Sequence, residues 1–198
     1  MKRAFDFFVA LISFLVLSPV FLVLMVLVYL NVGGPFFRQR RIGHEEKIFH
    51  LFKFKSMRDK DPDKSLVTNA QRVTKLGRFM RNTSLDELPG LLNIIKGDMS
   101  LVGPRPLLVE YLPYYKPEHR KRHSIKPGLT GLAQINGRNN TTWQERLDYD
   151  ALYVENHNFW LDLQILLKTA GKVFKREGAE SNVDLSIVRL DKAEDYLE

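Results

Sequence analysis

Cysteine is absent from the 198 residues. That excludes a disulfide framework, a thiolate metal site and a cysteine nucleophile. The glycine-rich signatures of nucleotide binding are missing too. Neither G-x-G-x-x-G nor the P-loop pattern occurs, so no dinucleotide or Walker-type site follows. His44-Glu45 begins like a zincin motif, but Ile48 stands where the second histidine is required. No recognition helix and no RNA-binding aromatic signature is present, which argues against a nucleic-acid partner. Positive charge is scarce only at the end: residues 177–198 hold seven acids against Arg189 and Lys192, a net of −5. The chain as a whole carries +7, so the first 176 residues carry +12. A field that positive selects a phosphorylated substrate or an anionic lipid surface.

Long apolar runs are also few. One, from Phe7 to Leu30, is nearly unbroken and long enough to cross a bilayer. It is too long for the apolar core of a secretory signal, and no small-residue cleavage site follows. Ser18-Pro19 falls in its middle, where a proline removes a helical hydrogen bond and kinks the helix. Lys2 and Arg3 precede it and Arg38, Arg40 and Arg41 follow, so the positive-inside bias holds both ends on the cytoplasmic side. A helix that enters, bends and returns satisfies both facts. A kinked spanning helix is also tolerated, and the residues alone leave the two courses open.

The rest of the chain is organised around Thr83 to Asp98. Leu88, Leu91, Leu92 and Ile95 have the spacing of one buried helix face. Ser84 with Glu87 fits a capping box. Asp86 as N-cap is the preferred start, because it puts Pro89 inside the first turn, where no donor is lost. Either start sets Asp86 and Glu87 at the positive end of a helix, which favours their ionised forms. Arg78 and Arg81 precede the pair and Gly103-Pro104-Arg105-Pro106 follows. Cations beside paired carboxylates suit an anionic substrate held against a metal ion. Prolines on both sides of Arg105 fix its backbone for phosphate contact.

Other segments add candidates. Phe36–Ile42 and Lys47–Met57 read as two strands around a turn at Gly43. Phe52 and Phe54 alternate with Lys53 and Lys55, giving an apolar face and an ammonium face that meets either water or a phosphate. Asn69–Arg81 reads as a basic helix with Val73, Leu76 and Phe79 or Met80 inside. Pro117–Ser124 is strongly basic and suits anionic headgroups. His119 and His123 within it have metal-ligand spacing but no third ligand. Residues 126–139 are glycine-punctuated and carry Gln134 and Arg138, which such a loop can bring to a ligand. Thr142–Asn156 is a helix with Trp143, Leu147, Ala151 and Val154 on one face. Phe159–Arg176 is amphipathic, with Trp160 and several lysines, and suits either a membrane interface or packing on the domain. A non-catalytic basic module would explain the charge and the apolar run, but not the Asp86-Glu87 pair. A metal-dependent phosphohydrolase is the other alternative.

Taken in order, six segments form a specific set: Ser18-Pro19, Lys53-Phe54-Lys55-Ser56-Met57, Ser84-Leu85-Asp86-Glu87-Leu88-Pro89, Lys96-Gly97-Asp98-Met99-Ser100, Val102-Gly103-Pro104-Arg105-Pro106 and Lys126-Pro127-Gly128-Leu129-Thr130-Gly131. The set resembles the bacterial sugar transferases, specifically the small monotopic phosphoglycosyl transferases of the PglC type, over residues 1–176. One mild departure is Asn82-Thr83 before Ser84. The resemblance implies an α+β fold, mainly helical with a small β-hairpin. It implies a re-entrant membrane helix (1–32) broken at Ser18 and Pro19, a catalytic domain (33–176) resting on the bilayer with amphipathic interfacial helices, and an acidic tail (177–198). It places the protein on the cytoplasmic face of the bacterial inner membrane, among anionic phospholipids. The implied reaction moves a phosphosugar from a UDP-sugar to polyprenol phosphate and releases UMP, feeding downstream glycosyltransferases. In it Asp86 is the nucleophile and, with substrate phosphates, the ligand of Mg²⁺. Glu87 positions groups or helps activate the acceptor. Arg81, Arg105, Arg138, Gln134 and one of Lys53 or Lys55 hold substrate.

Overall fold

The computed structural model describes residues 2–136, 142–175, 190 and 193. The chain opens with α1 (Lys2–Val16) and α2 (Ser18–Val32), bent by 65° at Leu17. Pro19 lies in the first turn of α2, where its missing N–H breaks no ladder bond. The Ser18 hydroxyl donates to the Leu15 carbonyl at 2.7 Å across the bend. Among the described residues no single helix is long and apolar enough to cross a membrane; the bent pair meets that test only together.

The hairpin β1 (Phe36–Ile42) and β2 (Ile48–Phe54) is antiparallel, in register from Phe36↔Phe54 to Ile42↔Ile48. Then come α3 (Asn69–Arg72), α4 (Lys75–Asn82), α5 (Gly90–Lys96) and β3 (Ser100–Val102). α6 (Pro117–Arg120) leads to β4 (Gly128–Thr130), which pairs in parallel with β3, and α7 (Leu132–Asn136), α8 (Trp143–Asn156) and α9 (Phe159–Lys175) follow. The architecture is thus mainly helical with a small antiparallel hairpin.

α1 is built into the domain. Ala10 sits in the main core with Leu51, Leu91, Ile94, Met99, Leu101, Tyr153 and Ile165. Buried Asp6 accepts from the Ser100 hydroxyl at 2.7 Å. Lys2 pairs with Asp162, which also receives the Tyr153 hydroxyl at 2.5 Å. Arg3 donates to the Ile94 and Ile95 carbonyls at 2.5 and 2.8 Å, a cation at the negative end of α5. Lys2 and Arg3, expected to set membrane topology, thus tie α1 to α9 and α5.

Three expectations are corrected here. The Asn69–Arg81 helix is two helices, because Thr74 accepts from the Gly77 N–H and caps a new start. Met80 is buried and Phe79 is half-exposed. In β2 the buried residues are Phe49, Leu51 and Phe54, not Phe52 with Phe54, because both faces of the strand are packed. The Pro117–Ser124 segment is only in part an outward basic surface, for His119, Arg122 and His123 are buried while Arg120 and Lys121 stay exposed. His119 pairs with Asp148 at 2.8 Å, and burial beside Arg122 and Arg120 pushes His123 down to about 3, a neutral interior ring.

The helix expected over Thr142–Asn156 is α8, started by a capping box of Thr142 and Glu145, with Leu147 and Ala151 buried. In α9 one face, with Asp162 and Ile165, packs inward, while Trp160 and Leu167 stay exposed. Arg138, Arg176 and nearly all of the tail lie outside the described residues. Leu190 and Ala193 are buried against Ile42, Tyr111, Tyr115 and Leu147.

Gly77 is where α4 touches the segment that follows β2. A Cβ there would stand 1.9 Å from the Ser56 carbonyl oxygen. Gly77→Ala is expected to cost about 1–3 kcal/mol by overpacking. Thermal unfolding checks it: an unchanged Tm means that α4 moves freely against Ser56.

Candidate active site

Neither predicted helix start is observed. Pro89 has no N–H, and the chain instead runs through a 3₁₀ turn, Leu85–Glu87, before α5 begins at Gly90. Glu87, Leu88, Leu91 and Leu92 donate to the carbonyls three residues back, at 3.1 to 3.3 Å. Ser84 is in the left-handed region (φ 55°) and makes no side-chain cap. The two acids therefore ride on a tight turn whose adjacent side chains diverge, and their surroundings differ.

Glu87 is the paired one. Its Oε1 accepts from Lys53 Nζ at 2.7 Å and from an Arg105 guanidinium nitrogen at 2.9 Å. Burial alone would raise its pKa, but the Lys53 and Arg105 charges outweigh it and hold Glu87 well below the ordinary carboxylate range. Asp86 is 9 % exposed and has no hydrogen-bonding or ionic partner among the described residues. Burial is the largest influence on it and, with Glu87, pushes it up to about 6 against the pull of Lys53, Arg81 and Arg105. The expectation that the position favours ionisation of both acids therefore fails for Asp86, because desolvation outweighs the helix field.

Beside Glu87 is an open cleft lined by Lys53, Arg41, Arg105, Glu87, Phe52 and the backbone neighbours Gly128 and Leu129. Its walls have identifiable supports. Buried Asn93 on α5 accepts from the Phe52 N–H at 3.0 Å and donates to the His50 carbonyl at 2.8 Å. That bond locks β2, and hence Lys53, onto the helix that follows Glu87. The Arg105 carbonyl accepts from buried Arg122 at 2.7 Å, and Arg122 is paired with Asp150 at 2.7 Å. β3 and β4 bring the Val102-Gly103-Pro104-Arg105 and Gly128-Leu129-Thr130 segments side by side. The approach is so close that a Cβ on Gly128 would lie 2.1 Å from the Gly103 nitrogen.

The predicted site residues divide accordingly. Lys53, Arg105 and Glu87 meet in the cleft. Arg81 acts on Asp86 electrostatically and is held by the Ser56 hydroxyl at 2.9 Å and the Met57 sulfur at 3.0 Å. Lys55 pairs with Asp59 at 2.7 Å instead. Gln134 donates to the Leu129 carbonyl at 3.2 Å, supporting the cleft wall from behind. Arg41, Asn93, Arg122 and Asp150 are further contributors that the sequence reading missed. Arg41 stands one residue before the Ile42-Gly43 turn, but nothing local marks Asn93, Arg122 or Asp150.

A cleft lined by cations, beside a turn that carries a buried acid with no partner among the described residues, is a site whose charge suits a phosphorylated substrate. The profile of the bacterial sugar transferases matches residues 1–176, and the chain belongs to that family. It is 47 % identical to an uncharacterized sugar transferase, EpsL, of Bacillus subtilis over 91 % of this chain and 90 % of that one. It is 40 % identical to the exopolysaccharide production protein ExoY of Rhizobium meliloti, over 90 % of this chain and 87 % of that one. It is 38 % identical to the undecaprenyl-phosphate galactose phosphotransferase of Salmonella typhimurium over 90 % of its own length, but spans only 41 % of that relative.

Proposed function

We propose that the protein transfers a sugar 1-phosphate from a UDP-sugar to undecaprenyl phosphate and releases UMP, through a covalent phosphosugar on Asp86. The observation that carries this reading is the division of labour between the two acids. Glu87 is consumed in holding Lys53 and Arg105. Asp86 is left without a partner, among charges that attract phosphate. The relatives' names, which include a UDP-glucose:undecaprenyl-phosphate glucose-1-phosphate transferase, support the reaction class.

The Asp86 carboxylate attacks the β-phosphorus of the donor. The bond from that phosphorus to the bridging oxygen breaks, and the electron pair leaves on the α-phosphate of UMP. The acceptor phosphate then attacks the same phosphorus, and Asp86 departs as a carboxylate. One difficult displacement becomes two. Lys53 and Arg105, fixed by Glu87, stabilise charge on the phosphoryl oxygens. No group of three or more His, Asp or Glu side chains that could cage a metal occurs among the described residues. One free carboxylate beside a diphosphate nevertheless fits Mg²⁺, which takes one or two protein carboxylates and completes its shell with phosphate and water. When bound through Asp86 and the donor phosphates, the ion supplies charge neutralisation.

The membrane placement rests on the same kind of observation. On α1 and α2, Phe8, Ile12, Leu15, Val16, Val23 and Leu30 are all more than half exposed, and Trp160 on α9 is 70 % exposed. An apolar surface of that size calls for a partner, and a bilayer entered from one side by the bent pair supplies it. The lipid acceptor's phosphate sits at headgroup depth, where the cleft can meet it.

The test is intact mass after incubation of the purified protein with Mg²⁺ and a panel of UDP-sugars. A gain of one phosphosugar names the donor. Steady UMP release without any lipid acceptor would instead make the protein a hydrolase. Because burial raises Asp86 to about 6, the rate of adduct formation should fall about tenfold per pH unit below pH 6. Adduct formation undiminished in Asp86→Asn would exclude Asp86 as the attacking group.

A further inference from the structure

We infer that Arg41 binds the phosphate that leaves with the nucleotide. The inference rests on the covalent reading above and assigns a part of the cleft that reading leaves unfilled. Arg41 lines the same cleft as Lys53 and Arg105. Its guanidinium is held in place by two bonds, to the Pro106 carbonyl at 3.2 Å and to the Gln39 amide oxygen at 2.6 Å. Its Nε is buried and has no hydrogen-bond partner. It has no salt bridge to a carboxylate among the described residues. The one acid in the cleft lining, Glu87, is already taken by Lys53 and Arg105. Three cations against one carboxylate leave the cleft with a net charge of about +2, the complement of a phosphate dianion.

Position separates Arg41 from the other two cations. The charges that weigh most on Asp86 are Lys53, Glu87, Arg81 and Arg105. Those that weigh most on Arg41, after burial, are Arg105 and then Tyr111, Glu110 and Glu87. Arg105 is the group common to both sets. The bonds agree: Lys53 and Arg105 both reach Glu87, the chain neighbour of Asp86, whereas Arg41 bonds Pro106 and Gln39 instead, which sets it further from the nucleophile. In an in-line displacement the leaving group lies opposite the nucleophile. The transferred β-phosphoryl group then sits at Lys53 and Arg105, and the α-phosphate reaches Arg41. Burial together with the Arg105 charge pulls the Arg41 guanidinium down to about 10, so the apo cleft disfavours this cation and an arriving anion relieves it. As the bond to the bridging oxygen breaks, the electron pair moves onto the α-phosphate, and Arg41 stabilises the charge that develops there.

The prediction is asymmetric between the two half-reactions. Arg41→Gln should slow formation of the Asp86 adduct by about 10- to 100-fold, the worth of one charge-assisted bond, and weaken UMP binding by a similar factor. Transfer of the preformed phosphosugar to undecaprenyl phosphate should change less than about twofold, since UMP has already left. Arg41→Lys should recover part of the UMP affinity, as a point charge without the fork. Equal slowing of both half-reactions, or a fall in Tm with UMP binding unchanged, would make Arg41 a structural pin for Pro106 and overturn the inference. UMP titration by calorimetry needs no covalent step. If the wild type forms no adduct yet binds UMP more tightly than Arg41→Gln, the covalent reading fails and Arg41 stands as the nucleotide-phosphate ligand.

Discussion

Asp86→Asn is expected to abolish transfer and at the same time make the protein more stable at neutral pH. The first effect should be about 10³-fold or more, because no neighbouring acid can replace the nucleophile: Glu87 is tied by Lys53 and Arg105. The second follows from the raised pKa. Asp86 titrates near 6 in the fold, against 3.8 for the free side chain. Between those values the folded state holds a proton that the unfolded chain has lost, so stability falls as pH rises through the window. Above it the ionised group costs about 1–3 kcal/mol, the free energy of a shift of about two units. Asparagine removes that cost. The gain in Tm should be present at pH 7.5 and vanish below about pH 3, where the folded and the unfolded wild type are both protonated. Adduct mass and thermal unfolding at the two pH values test both halves. A variant that is inactive and less stable at pH 7.5 would mean that the carboxylate has a structural partner, contrary to its isolation here. Function at this site is thus held against stability, the usual cost of a reactive group kept without a partner.

The second large effect lies away from the chemistry. Arg122 is 2 % exposed, and its ion pair with Asp150 is buried on both sides. Removing one partner leaves an uncompensated interior charge, and Asp150→Ala should cost about 3–5 kcal/mol. For a chain of this length that is a fall in Tm of about 10 °C. Arg122 also holds the Arg105 carbonyl, so its loss frees the segment that aims Arg105 at Glu87. Replacing both partners, Arg122→Met with Asp150→Leu, separates the two roles. Stability should return to near the wild-type value, because the desolvation penalty disappears from both sides. Adduct formation should stay reduced by about tenfold or more, because Arg105 has lost its backbone anchor. Full recovery of both would show that the prolines around Arg105 position it without Arg122.

Much of this molecule is readable along the chain. Ser18-Pro19 marks the break between α1 and α2 because proline rules are local. α8 is legible from the spacing of Trp143, Leu147, Ala151 and Val154. The hairpin follows from two extended runs around Gly43, and the ordered motifs name the family. What failed was of two kinds. The start of α5 was misjudged because Pro89 could be satisfied by a 3₁₀ turn as well as by a first α-helical turn, and the difference is small in energy. The outward-facing reading of Pro117–Ser124 fails for Arg122, though not for Arg120 and Lys121, because charge alone does not say whether a cation meets water or a buried carboxylate. Arg122 finds Asp150 only after α8 has packed beside it.

The sequence by itself determined the chemistry available: two adjacent acids, cations before and after them, no thiol and no nucleotide-loop glycines. Only the tertiary structure decided which acid is paired. Glu87 lies 34 residues from Lys53 and 18 from Arg105, and their approach depends on the Asn93 lock, the β3–β4 pairing and the Arg122 brace. Burial then acts oppositely on neighbours in the chain, holding Glu87 ionised through its partners and raising Asp86, which has none. That split is a property of desolvation and long-range charge, and neither is written in the spacing of residues.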